Sequence, residues 1–197
     1  MATFNGQVNS SAGDARQAGA TVDLTSSEIY FGSSVVTVGL FFPSVTIPPG
    51  STITSAILEG YFSSTSYDSG TFTAACEDAD SAAIFTSDDK NVSNRTPTSA
   101  TVAVSLSNVM TSGSGFYGIC DLKDAVQEVI DRPGWSSGNN IAALLYSLTS
   151  GEIRFRTYDN NSAEAAKLTI TYTAPASGAA KKRKLRQGTR FGARAGT

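Results

Sequence analysis

The chain has 197 residues, 40% of them hydrophobic and 16% charged, enough for one sizeable core but with fewer charges than the roughly 25% usual in soluble domains. Histidine is absent, which excludes Ser-His-Asp and Cys-His nucleophilic sites, His-ligated zinc and imidazole pH switches. The formal charge of -2 hides a separation: residues 1–175 hold all 17 acids and 8 of the 15 bases, a body of -9, whereas residues 176–197 hold 7 bases and no acid, a tail of +7.

Residues 1–19 are small and polar, with Phe4 and Val8 as their main apolar side chains, and read as an N-terminal arm that needs a surface to lie against. Strands are expected at 20–24, 28–31, 35–42, 52–62, 71–77, 100–106, 140–148, 152–158 and 167–173, nearly all β-branched or aromatic. In the last, Leu168, Ile170 and Tyr172 alternate with threonines, the two-residue period of a strand with one buried face. In 152–158, Ile153 and Phe155 alternate with Arg154 and Arg156, so one face carries two cations. Pro48-Pro49-Gly50, Ser69-Gly70, Ser112-Gly113-Ser114-Gly115, Ser150-Gly151 and Asp159-Asn160-Asn161 supply turns between the runs.

One helix interrupts the strands at about 121–131, where Leu122, Ala125, Val126, Val129 and Ile130 recur on one face. Asp121 is placed to cap it and Arg132-Pro133-Gly134 to end it. Many short strands with polar turns and one packing helix imply a mostly β, antiparallel two-sheet jelly-roll sandwich over 20–175. Beyond Thr173 a small-residue spacer leads into a basic tail, 176–197, that holds no apolar pattern for a core.

Cys76 and Cys120 lie 44 positions apart, too far for a CxxC site, and read as small buried hydrophobes whose bridging is left open. The opening Met1 to Gly6 has neither a basic n-region nor an apolar h-region, and the longest later apolar stretch, Ile141 to Tyr146, is too short to cross a bilayer. A soluble chain made in the cytoplasm without a signal peptide is the expectation.

Three segments resemble a known family: Val45-Thr46-Ile47-Pro48-Pro49-Gly50-Ser51-Thr52-Ile53-Thr54-Ser55-Ala56-Ile57-Leu58, then Val126-Gln127-Glu128-Val129-Ile130-Asp131-Arg132-Pro133-Gly134-Trp135-Ser136-Ser137-Gly138-Asn139, and Ala166-Lys167-Leu168-Thr169-Ile170-Thr171-Tyr172. In this order the chain resembles, over residues 20–173, the jelly-roll domains related to the DNRLRE and disaggregatase-associated carbohydrate-binding families. Such domains occur in secreted bacterial surface proteins, and similar ones in tailed-phage virion proteins. The resemblance implies the sandwich architecture and nothing catalytic. Its most specific segment, around Trp135, carries the chain from helix into strand, with Trp135 expected to cap the core.

Candidate chemistry is sparse. Glu77, Asp78 and Asp80, followed by Asp88 and Asp89, form a local carboxylate cluster that reads either as solvated loop acids or as a calcium site, and no cofactor is otherwise expected; Asp159 to Asn161 would join such a site only if the fold brought that turn alongside. Tyr61, Tyr117 and Trp135 are candidate stacking platforms for a glycan. No pair of carboxylates stands out for glycoside hydrolysis, so no enzyme is expected. In the tail, Lys181, Lys182, Arg183, Lys184, Arg186, Arg190 and Arg194 suit docking on acidic protein surface or on nucleic acid phosphate.

Together these features lead to a non-enzymatic structural protein of a tailed-phage virion. It would be a decoration, head-tail or tail accessory subunit bound to capsid, portal or tail components, homo-oligomeric within the assembly, and not associated with membrane. The alternative expectation is a carbohydrate-binding module for a cell-surface glycan, either alone or as the receptor-facing part of a virion. A nucleic-acid-binding accessory protein comes third.

Overall fold

The computed structural model describes residues 1–32, 37–63, 68–107 and 114–176. In chain order these form β1 (Ala2–Gln7), β2 (Asp14–Ala18), β3 (Thr21–Asp23), β4 (Glu28–Phe31), β5 (Thr37–Phe42), β6 (Thr52–Phe62), β7 (Asp68–Cys76), β8 (Val102–Leu106), β9 (Gly115–Asp121), α1 (Lys123–Ile130), β10 (Ile141–Arg156) and β11 (Lys167–Thr173). The basic tail residues Lys181 to Arg194 lie outside the described residues.

The strands build two antiparallel sheets, one four-stranded in the order β1-β11-β6-β9 and one seven-stranded in the order β3-β2-β5-β10-β7-β8, with β4 also pairing β10. Alternation decides which side chains meet between them. Ile53, Ala56, Leu58 and Phe62 of β6 and Leu168 and Ile170 of β11 point inward, against Val38, Leu40 and Phe42 of β5 and Leu145, Ile153 and Phe155 of β10, in one buried cluster. Among the described residues the fold is a β-sandwich of mostly β content with one short α-helix.

Helix α1 packs against β6 of one sheet and β7 of the other, burying Ala125, Val126, Val129 and Ile130. Its polar side chains lock neighbouring backbone. Gln127 Oε1 accepts the Ile53 N–H at 2.8 Å, and the Glu128 carboxylate accepts the Ser99 and Ala100 N–H groups at 2.8 and 2.7 Å. The helix thereby satisfies strand-end donors that would otherwise be stranded at the rim.

A further layer covers the outside of the seven-stranded sheet. All six residues of β5 are buried, because the segment 77–99 folds over it and adds Ala82, Phe85 and Val92 to a second cluster with Ala15, Val22, Phe41, Ala142 and Leu144. A strand covered on both faces reads as a continuous apolar run, as Val38 to Phe42 does.

Several expectations are corrected. Residues 1–19 are not an arm: β1 pairs β11 from Ala2↔Tyr172 to Gln7↔Lys167, and β2 pairs β5. The polar side chains of β1 suit an outermost strand, and Phe4 packs onto the core. The strands expected at 140–148 and 152–158 are one, β10, whose register against β7 shifts between Tyr146 and Ser150. That irregularity is absorbed by positive φ at Ser147 and Gly151. Asp121 belongs to β9, with Leu122 at the helix cap position. Asp121 Oδ1 still accepts the Lys123 N–H at 3.0 Å, and also the Ala56 N–H at 2.8 Å. Both cysteines are free thiols, Cys76 buried in β7 and Cys120 half-buried in β9. Among the described residues no helix is long and apolar enough to cross a membrane.

Candidate functional site

Arg95 braces the segment 77–99 internally and Arg132 ties it to the end of α1, and the two arginines consume the expected calcium ligands. Glu77 faces Arg95 at 2.6 Å, with only 17% and 7% of their side chains exposed. The Arg95 guanidinium also donates to the carbonyls of Asn91, Ala83 and Ile84 and stacks 4.0 Å above the Phe85 ring. Asp78 and Asp80 both pair with Arg132, the latter at 2.8 Å. Two acids on one cation tie the segment to the residues that end α1, and they hold the Arg132 guanidinium above its ordinary pKa, the Asp80 hydrogen bond first among the causes. Glu77, Asp78 and Asp80 are therefore spent as clamps, and among the described residues no group of three or more Cys, Asp or Glu is arranged to hold a metal. Beside them an open concavity of about 560 Å³ gathers Asp88, Asp89, Asn91 and Asn94 with Glu77 and Asp78.

The three glycan candidates separate. Trp135 is 3% exposed, and its Nε1–H donates to the Ile47 carbonyl at 3.0 Å. As a stacking platform Trp135 is thereby corrected, since a sugar ring needs an open aromatic face; it caps the core. Tyr117 is half-buried with its ring edge-on to Phe62 at 6.2 Å. Tyr61 lies on the opposite side of β6 from the buried Gly60 and Phe62, edge-on to Phe116 at 5.3 Å. Two cations lie on this pair: Lys167 Nζ stands 3.5 Å from the Phe116 centroid and the Arg156 guanidinium 5.3 Å from that of Tyr61. Arg156 is tethered in turn by Glu164. The sequence reading placed Arg156 on a cationic strand face but did not bring it, Phe116 and Lys167 to Tyr61, because the three come from separate strands. The signal that could have found them is parity, since Tyr61 alternates with inward-facing neighbours.

On the seven-stranded sheet, a groove of about 470 Å³ opens between the 77–99 cover and β10, lined by Val92, Pro97, Leu144, Tyr146, Ser147 and Leu148 among others. The Tyr146 hydroxyl makes no hydrogen bond to the described residues, and partial burial raises its pKa. Ser147 holds φ 55°, a left-handed conformation unusual for serine. The groove thus offers apolar walls, one unspent hydroxyl and a locally strained floor.

Comparison of the chain with protein-family models and with curated proteins finds no match.

Proposed function

We propose that this chain is a non-enzymatic structural protein of a tailed-phage virion, a small sandwich subunit that holds neighbouring capsid, portal or tail proteins through its outer surface and its basic tail. The observation that carries this reading is where charge is spent. Arg95, Arg132 and Arg156 are all committed to clamping the body's own carboxylates, which leaves no converging acid pair among them for catalysis. By contrast, the Tyr61–Phe116 strip with Lys167 lies on the outer side of the four-stranded sheet, a mixture of aromatic and cationic groups favoured at protein interfaces.

The pairing of Ala2 with Tyr172 brings the N-terminus beside the strand from which residues 176–197 depart. A +7 segment next in sequence to a -9 body suits a subunit that binds an acidic neighbour through its tail. The resemblance of three segments to domains found in phage particles supports the virion setting. Mass spectrometry of gradient-purified particles is the test: the chain should co-sediment with capsid, portal or tail components at fixed stoichiometry, and its recovery only in soluble fractions would reject the reading.

A second reading, recognition of a cell-surface glycan, is favoured by the Tyr146 groove and the Tyr61 face. Glycan-array binding lost on Tyr146→Ala or Tyr61→Ala would support it, and a blank array would count against it.

A further inference from the structure

Asp23, Glu77, Asp78 and Glu164, each partly buried, face an arginine. Asp14 does not, although it is only 3% exposed. Its Oδ2 accepts the Tyr158 N–H at 2.7 Å, but Oδ1 has no hydrogen-bond partner, and the buried Oγ of Ser10, one short turn earlier, has none either. The fold brings a second carboxylate to this corner. Asp159 follows Tyr158, accepts the Ser11 hydroxyl at 2.8 Å, and adds its negative charge to the field at Asp14. Burial first, and that charge after it, push the Asp14 carboxyl up to about 7.

A buried carboxylate is stable when it is ion-paired, protonated or bound to a metal. Among the described residues no arginine or lysine pairs with Asp14. What the corner offers instead is two carboxylates and an unspent hydroxyl, all hard oxygen donors, on two turns far apart in sequence. Hard oxygens select calcium-class ions over zinc or copper. We propose that the corner between the Ser10–Asp14 turn and the Tyr158–Asp159 turn is a divalent-cation site of the calcium class, with Asp14 Oδ1, Ser10 Oγ and the Asp159 carboxylate as its oxygen ligands. It is separate from Glu77, Asp78 and Asp80, and the ion would staple the start of β2 to the chain just past β10. Two carboxylates make a weak site, with Kd of about 10⁻⁴ to 10⁻³ M.

The test uses the full chain at pH 8, comparing thermal unfolding in chelator and in calcium, with Tb³⁺ luminescence sensitised by Tyr158 as a direct binding readout. Calcium at about tenfold above Kd should raise Tm by about 3–6 °C, and Asp14→Asn and Ser10→Ala should remove or sharply reduce both the rise and the luminescence. An unchanged wild-type Tm with no Tb³⁺ signal overturns the proposal. So does a calcium response that survives Asp14→Asn, which would put the ion in the concavity around Asp88 and Asp89. If Asp14→Asn does not fold, Ser10→Ala and Asp159→Asn decide on the same terms.

Discussion

Phe85 lies directly on Gly39. A Cβ added at Gly39 would come within 2.3 Å of the Phe85 ring, so the glycine in β5 is the seat on which the 77–99 cover rests. Arg95 lies over the face of the same ring and binds Glu77, which links the sheet to the salt bridge. Gly39→Ala should force the ring away and cost about 1–3 kcal/mol, measured by denaturant unfolding, with faster proteolysis within 77–99 and little change elsewhere.

Removing the far end of that stack should cost more. The Arg95–Glu77 pair is largely withdrawn from water, so Arg95→Ala strands a buried carboxylate and is expected to destabilise by about 3–5 kcal/mol. The double variant Arg95→Ala with Glu77→Gln should recover part of that loss. An additive double variant would show the pair to be uncoupled.

Trp135→Ala should behave as a core deletion. Loss of the buried indole and of its bond to the Ile47 carbonyl predicts about 3–5 kcal/mol of lost stability, whereas Trp135→Phe should retain most of the packing. Any glycan affinity measured on the folded Phe variant should be unchanged.

Asp14 makes the stability of the metal-free protein depend on pH. Its carboxyl is raised from 3.8 to about 7 in the fold, so the folded state holds this proton more tightly than the unfolded chain. The contribution is fully present below about pH 4 and is lost as pH rises to about 7, up to about 4 kcal/mol. In chelator, Asp14→Asn should flatten the profile between pH 4 and 7 and be more stable than wild type at pH 8.

Much of the architecture was legible because alternation survives wherever one face is buried: Glu28–Phe31, Thr52–Phe62 and Lys167–Thr173 are found at their expected bounds. The failures have physical causes. β1 presents polar side chains because it is an edge, and β9 is diluted by Gly115 and Gly118. Ser150-Gly151 looks like a turn, but both residues pair with β7 and β10 runs on through them, its register having shifted between Tyr146 and Ser150. Acids close in sequence suggested a metal, yet Arg95 and Arg132 reach Glu77, Asp78 and Asp80 from 18, 54 and 52 residues away. The Asp14–Tyr158 contact spans 144 residues, and local spacing carries no trace of it.

The central claim, that the tail and the outer aromatic strip grip neighbouring proteins of a particle, is tested most directly by cross-linking mass spectrometry on intact particles. Lysine cross-links from Lys181, Lys182, Lys184 and Lys167 to acidic surfaces of other virion proteins are predicted. Cross-links confined to the chain itself, in particles shown to contain it, would contradict the claim.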